Sequence, residues 1–331
     1  MGLNFLDFEQ PIIDIETQIE DLRQVGNNTK IDLSDKIERL ERDRIKLARS
    51  IFSQLTPWQV VQLARHSHRP RFLDYIEHIF DHFDELHGDR QFADDRAIIG
   101  GLAYLGTEPV MVIGQHKGRN TVERAACNFG MPKPEGYRKA LRLMQLAERF
   151  RLPVLTFIDT PGADPGVASE ERNQSGALAA NLQAMSQLNV PVIATVIGEG
   201  GSGGALAIGV ADRLLMLQYS VYSAISPEGC ASIIWGNKEK SSAASVDQAA
   251  KTVVNHAAEA AAIMAMTADR LLDLKLVDQV IEEPLGGAHR NPAEMMRRLK
   301  TVLLEQYAQL RQEDPQSRLE KRYQRLISLG L

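Results

Sequence analysis

From residue 8 to about residue 66, apolar side chains recur three and four positions apart: Ile12, Ile15, Ile19 and Leu22, then Leu33, Ile37 and Leu40. That period predicts helices, each with one apolar face. Gly26-Asn27-Asn28 predicts the break between the first two. A stripe so narrow cannot form a core alone, so these helices must pack on the body of the protein or on another chain. Thr56, Pro57 and Gln59 supply an N-cap, a first helical residue and a capping box, and a third helix starts there. A basic connector, His66-Ser67-His68-Arg69-Pro70-Arg71, leads into an acid- and aromatic-rich stretch from Phe72 to Glu85 that is expected to be helical.

The period changes near Ala97. Ala97–Leu105 and Pro109–Gln115 are β-rich runs joined by Gly106-Thr107-Glu108, which predicts a hairpin. Residues 134–150 return to helical spacing, with Leu141, Met144, Leu146 and Ala147 set among Arg138, Lys139 and Arg142. Three further apolar runs, Pro153–Ile158, Pro191–Ile197 and Leu214–Tyr219, alternate with helical stretches at Gln174–Leu188 and Gly204–Val210. Buried strands separated by helices indicate an α/β body with parallel pairing. Residues 236–262, rich in Ala, Ser and Lys, read as an exposed helical excursion that closes by 266. A helix from Thr267, a short β run at Val277–Ile281 and a charged helix or helix pair from Pro292 to about Tyr323 complete the chain. The expected organisation is a helical segment over 1–90, an α/β domain over 91–290 and a helical extension over 291–331.

Candidate chemistry concentrates where a strand gives way to a helix, at Gly198-Glu199-Gly200-Gly201-Ser202-Gly203-Gly204-Ala205. Glycines let the backbone turn sharply and approach a ligand with no Cβ in the way. A helix start adds unpaired N–H groups and the positive end of the dipole, a setting for an anionic oxygen or a phosphate. Three chemistries are compatible with the string. Gly198, Gly200 and Gly203 match the dinucleotide pattern G-x-G-x-x-G, but the next strand ends in Gln218 and Tyr219 where that fold needs an acid. Gly200–Gly204 also matches G-x-S-x-G, the turn that presents a nucleophilic serine; Ser202 would then need an acid and a histidine such as His256 or His289. The third is a loop of backbone donors alone, stabilising an enolate-like oxygen. Close strand–helix packing through glycine is the plain structural alternative.

A second loop favours the third chemistry. Asp159-Thr160-Pro161-Gly162-Ala163-Asp164-Pro165-Gly166 leaves the preceding strand at its carboxyl end, and loops at that end of neighbouring parallel strands share a crevice. Two Gly-rich turns facing one cavity, one of them stiffened by prolines, suit donors that must not reorganise during reaction. Asp159 and Thr160 read as turn caps. Glu170, Glu171 and Arg172 read as a solvated helix start.

Composition narrows the classes. The 331 residues carry 38 Lys plus Arg against 43 Asp plus Glu, a net charge of −5, which argues against a nucleic-acid binder. With 44% hydrophobic and 24% charged residues the chain is globular, not disordered. Two cysteines, Cys127 and Cys230, form no C-x-x-C pair; this excludes a cysteine zinc site and fits a reducing compartment. The acidic start, Met1 to Asp7, has no apolar core and is not a signal peptide, and Leu6 breaks the myristoylation pattern. No run nears the roughly 18 apolar residues of a membrane span. A cytoplasmic protein without its own metal is expected.

At these glycine loops the chain resembles one family. Phe157–Gly166, Gly198–Ala205, Ile225–Ile233 and Pro284–Arg290 stand in the order of the motifs of bacterial acetyl-coenzyme A carboxylase carboxyltransferase α subunits. So do Asn4–Glu9, Phe129–Pro132, Pro134–Arg138 and Arg322–Arg325, and the likeness runs nearly end to end. The resemblance implies a crotonase-like fold of repeated ββα units, in keeping with the hairpin and the β–α alternation. It implies an α2β2 carboxyltransferase whose separate β subunit carries a zinc ribbon, with biotin carboxylase and the biotin carboxyl carrier protein as further partners. The implied reaction moves a carboxyl group from carboxybiotin on that carrier to acetyl-CoA, giving malonyl-CoA for fatty acid synthesis. No cofactor would be bound covalently to this chain.

By the same resemblance, the amides of Gly203, Gly204 and Ala205 would hold the biotin ureido oxygen, and Gly162 and Ala163 would line the chamber. Gly200, Gly201, Ser202, Asp164, Pro165 and Gly166 would border the substrates. Lys117, Arg119 and Arg138 are candidates for the CoA phosphates, or else a solvated basic face. Three positions depart from the family. Asp164 stands where the family usually has Tyr, Gln115-His116 reverses the usual His-Gln order, and residues 236–262 are longer than its norm. The first places a carboxylate near a developing anion, which opposes it. A non-catalytic scaffold that kept the fold and a serine hydrolase using Ser202 are the competing functions.

Overall fold

The computed structural model describes residues 5–29, 32–239 and 256–329. After a 3-10 turn at Asp7–Glu9 come helices α1 (Gln10–Thr29), α2 (Ser34–Phe52), α3 (Pro57–Ala64) and α4 (Phe72–Ile79). Strands β1 (Asp81–Glu85), β2 (Ile98–Leu105) and β3 (Glu108–Gln115) precede helices α5 (Thr121–Ala126) and α6 (Pro134–Phe150). Next are β4 (Val154–Thr160), α7 (Val167–Glu171), α8 (Gln174–Gln187), β5 (Val192–Gly201) and α9 (Ser202–Leu206). Strands β6 (Arg213–Leu217) and β7 (Val221–Ser223) lead to α10 (Pro227–Glu239) and, past a gap in the description, to a helix at 256–263, α11. The chain closes with α12 (Ala268–Asp273), β8 (Gln279–Ile281), α13 (Pro292–Arg311) and α14 (Pro315–Ser328).

The strands form one sheet in the order β1-β2-β3-β4-β5-β6-β8, with β7 paired to the carboxyl end of β5. The first three are antiparallel and the rest parallel. Successive side chains enter opposite cores: Val192, Ala194 and Val196 pack with α6 and α8, whereas Ile193 and Ile197 pack with α4 and α13. Cover on both faces is why these strands read as unbroken apolar runs. A third cluster joins Ile12 of α1, Phe52 of α2 and Val61 of α3 to Tyr219 and Val221.

The hairpin, α6 and the α3 capping box lie where the sequence puts them; Gln59 N donates to Thr56 Oγ1 at 3.3 Å, and Thr56 N to Gln59 Oε1 at 2.7 Å. Three expectations are corrected. Gly26 does not break the first helix, because α1 packs along α2 with Arg23–Glu41 and Arg44–Glu16 ion pairs, and one interior glycine costs only about 1 kcal/mol. Phe72–Glu85 is not one helix: it extends at Phe80, and Asp81–Glu85 is an edge strand whose charged residues suit an unpaired side. The helix expected at Gly204–Val210 begins two residues earlier and ends at Leu206. Of the 236–262 excursion, residues 240–255 lie outside the described residues, and 227–239 and 256–263 are helical. The basic connector is buried at His66, Arg69 and Arg71. Among the described residues no helix is long and apolar enough to cross a membrane.

Arg322, 1% exposed, docks α14 onto the sheet. It grips Asp212 through two nitrogens at 2.8 and 2.7 Å and donates to the carbonyls of Met185, Leu188 and Val190. Replacing Arg322 by Met takes the close cation from buried Asp212, leaving it the Val192 amide at 2.8 Å and Arg318 at 3.7 Å, and removes a donor from three carbonyls; it should cost about 3–5 kcal/mol in urea unfolding. An unchanged midpoint would refute this role.

Candidate active site

A bulge builds the site. The β4–β5 register runs Ile158 opposite Val196, then slips to Thr160 opposite Gly200, which takes the intervening amides out of the ladder. Buried side chains replace the lost partners. Asp159 Oδ1 accepts from the Glu199 amide and Gln115 Oε1 from the Asp159 amide, both at 3.1 Å. The other end of Gln115 donates to the Gly204 carbonyl at 2.8 Å. The carboxyl ends of β3, β4 and β5 and the head of α9 are thereby tied at one point.

β5 continues through Gly200 and Gly201 before it turns. A Cβ on Gly201 would lie 2.2 Å from the Pro161 carbonyl oxygen, and one on Gly204 would lie 2.5 Å from the Ala163 nitrogen, so neither position admits a side chain. The chain reverses at Ser202, which holds a left-handed φ of 57°, and enters α9. With Gly201 as cap, the amides of Ser202, Gly203 and Gly204 have no acceptor within the helix. Ser202, being left-handed, stands outside the helical dihedrals, and the amides that follow it into the helix are those of Gly203, Gly204 and the buried Ala205. Beside them lies a cavity of about 560 Å³, lined by Ser202, Gly203, Leu206, Tyr222 and Leu271 among others.

Behind the turns is a layer of paired charge. Lys117 Nζ is 2.8 Å from Asp159 and 3.3 Å from Glu199, Arg71 reaches Asp159 at 3.4 Å, and Arg65 bridges Glu199 at 2.6 Å and Glu228 at 2.5 Å. Burial pushes the Asp159 carboxyl up, but Lys117 and Arg71 outweigh it and hold it below the usual range. Glu199 is held down in the same way by Lys117 and Arg65. Both are ionised in the folded protein at neutral pH.

The sequence-based candidates fall into groups. Gly162, Ala163 and Gly204 meet where the two turns touch, Gly203 faces Leu178, and Gly200 and Gly201 support them from within β5. Thr160 Oγ1 accepts from the Gly162 amide at 3.1 Å, the turn cap expected of it. Asp164 accepts from the Ser169 hydroxyl at 2.5 Å. Burial raises its pKa, but Ser169, Asn128 and the Gly166 amide bring it below the usual range, so its charge is held by donors at the head of α7. Pro165 is exposed and Gly166 caps α7. Lys117 and Arg138 form no solvated basic face: the first is committed to the charge layer, and the second donates to Asp89 at 2.8 Å and to the Arg172 carbonyl. Arg119 alone of the three is exposed, paired with Asp74. Sequence reasoning assigned no site role to Gln115, Glu199, Arg65 or Arg71: Gln115 stood out only as a departure from the family's order, Glu199 sits inside the glycine string, and Arg65 and Arg71 flank helix ends with no spacing signal.

Ser202 has the backbone shape of a nucleophile turn, but the downstream histidines are held elsewhere. His256 bonds Glu259 at 3.1 Å and stacks on Trp235, while His289 faces Glu9 and stacks on His66. Glu9, His66 and His289 also form a buried trio of potential metal ligands. His66 Nδ1 accepts from the His68 amide at 3.2 Å.

A family model described as acetyl co-enzyme A carboxylase carboxyltransferase-like matches residues 5–330. The acetyl-coenzyme A carboxylase carboxyl transferase subunit alpha of Azotobacter vinelandii is 58% identical over 330 residues, covering 100% of this chain and 99% of that one. Its Pseudomonas entomophila counterpart is 57% identical over 331 residues, with 100% of each covered. Among solved structures, the transcarboxylase 12S crystal structure superposes with a TM-score of 0.55 at 23% identity, over 73% of this chain and 42% of that chain. The beta subunit of P. aeruginosa geranyl-CoA carboxylase does so with a TM-score of 0.56 at 17% identity, over 75% and 48%. This chain thus spans less than half the length of either structure, and what they share with it is the crotonase-like fold.

The charge layer has a pH signature. Its contribution is complete above the ordinary carboxyl range, about pH 4 to 4.5, and is lost as pH falls through the depressed folded-state values of Asp159 and Glu199. Asp159→Asn should flatten the acid limb of a stability–pH curve and lower stability at pH 7, where Lys117 and Arg71 lose a partner. Equal slopes in the two proteins would count against the layer.

Proposed function

The chain belongs to the acetyl-coenzyme A carboxylase carboxyltransferase family, and from that premise we propose that it is the half of the enzyme that receives carboxybiotin. The carboxyl group would pass from carboxybiotin, on its carrier protein, to acetyl-CoA, giving malonyl-CoA for fatty acid synthesis. The observation that carries this reading is the trio of open amides at the head of α9 beside a cavity. Carboxybiotin, as substrate, supplies the carboxyl group as CO2. The ureido nitrogen it leaves takes a proton from the acetyl methyl carbon, whose electron pair then bonds the CO2 carbon. Negative charge gathers on the ureido oxygen during this exchange. The amides of Gly203, Gly204 and Ala205 donate to it, with the left-handed Ser202 turning the chain in front of them.

These donors are preorganised because Gly201 and Gly204 are wedged against the 161–163 loop. Gly162 and Ala163, expected to line the chamber, do not border this cavity; they back the turn, wedged against Gly204. The apolar lining from Tyr222, Leu271 and Leu276 suits a bicyclic ring with one polar edge. No side chain need act as base or nucleophile, which agrees with the histidines' engagement elsewhere. The thioester's own oxyanion site, most CoA contacts and the zinc ribbon fall to a β subunit in an α2β2 assembly. Arg119 is the exposed cation this chain offers to a CoA phosphate. Biotin carboxylase would recharge the carrier, and a cytoplasmic setting fits the two unbridged cysteines.

The test is malonyl-CoA formation by co-purified α and β subunits supplied with carboxybiotinylated carrier and acetyl-CoA. Ser202→Ala should keep the rate within about threefold, whereas Gly204→Val should cut it by about 10²–10³ while still co-purifying with β. A complex that assembles yet makes no malonyl-CoA would leave only a scaffold. Loss of activity in Ser202→Ala would return the serine to the chemistry. Asp164→Tyr should change the rate by less than about tenfold, because the native carboxylate is already compensated by its donors.

A further inference from the structure

We propose that Gln115 is the positioning residue of the oxyanion turn, aiming the α9 amides through the Gly204 carbonyl; this rests on the carboxyl-transfer reading above. The five-residue α9 cannot hold its own orientation. As it ends, the backbone tightens: the Ala207 amide donates to Gly203 O at 2.9 Å, Ile208 to Ala205 O at 3.3 Å and Gly209 to Leu206 O at 2.9 Å. The Gly204 carbonyl is passed over. It is buried, and a buried carbonyl without a donor is costly. Gln115 Nε2 meets it at 2.8 Å, while Oε1 holds the Asp159 amide at 3.1 Å. The side chain is fully buried, so no water can substitute.

The pairing demands a neutral group with a donor at one end and an acceptor at the other, which a primary amide supplies. Glutamate accepts at both ends. Fixing the Gly204 carbonyl fixes the 204–205 peptide plane, and with it the direction of the Ala205 amide, the last of the three donors. Gln115 therefore acts on the substrate without touching it.

The experiment uses the α–β complex and reads malonyl-CoA decarboxylation with free biotin as the probe. In Gln115→Glu at pH 8, kcat should fall about 10²-fold, with KM for biotin within about threefold. Activity relative to the wild type should recover as pH is lowered, because a protonated carboxyl donates to Gly204 O again. Gln115→His, with one ring N–H and one ring acceptor, should restore kcat to within about tenfold of the wild type. Hydrogen exchange of the α9 amides should quicken in Gln115→Glu and not in Gln115→His. A variant-to-wild-type ratio flat across pH, a loss confined to KM, or unchanged α9 exchange would overturn the proposal. Should the wild-type complex itself show no turnover, the carboxyl-transfer reading falls, and the exchange comparison still decides whether Gln115 clamps the turn.

Discussion

Two neighbouring parallel strands that both end in glycine-lined turns meet one constraint: backbone groups released from the ladder are buried and must be paired where they stand. At the β4–β5 bulge the released amides are those of Asp159 and Glu199, and a carboxylate and a carboxamide take them. Those two side chains then decide most of what surrounds them. The Asp159 carboxylate draws in Lys117 and Arg71. The Gln115 amide has its second end free to hold the short helix that opens the site. The donors of the oxyanion turn are open because they begin a helix, and the short helix keeps its aim because the bulge beneath it is repaired by side chains.

The charge layer serves assembly as well as electrostatics. Burying the four charged groups Arg71, Lys117, Asp159 and Glu199 is expensive unless each finds a partner, and with half-buried Arg65 and Glu228 the three cations are matched by three carboxylates. Arg65 follows α3 and Arg71 caps α4, so the N-terminal helices are stitched to the back of the glycine turns. A layer balanced in this way imposes little net field on the cavity side. A negative oxygen can then be stabilised by the amides without competing against an unpaired carboxylate.

Further buried arginines fasten the rest of the chain. Arg69, 2% exposed, donates to the Ile197 carbonyl at 2.7 Å and pairs with Glu283 at 2.5 Å. Glu283 also accepts from the Tyr219 and Ala288 amides. The α3–α4 connector is thus joined to β5 and to the turn after β8, and its Arg69 and Arg71 do not face solvent. Arg322 does the same for α14 through Asp212. A guanidinium has five donors in a fixed fork, enough to serve a carboxylate and several carbonyls from one buried position.

Local sequence determined a good deal about this protein. Apolar runs bounded by helices fixed the parallel strands, Thr56-Pro57-x-Gln59 fixed a helix start, and the glycines of 198–204 and 161–166 marked where backbone must approach backbone. These are short-range properties, set by dihedral freedom and by the period of burial. Tertiary structure alone decided the rest. Gly26 stays helical because α2 lies beside it, and Asp81–Glu85 extends because β2 offers an edge. Lys117 and Arg138 read as free cations until the fold sets carboxylates against them. The bulge slips register by a residue pair that no motif records, and so it alone selects Gln115 and Asp159 as the groups that must answer for two buried amides. Pairing across a sheet depends on which residues end up opposite one another, and that is a property of register, not of neighbours along the chain.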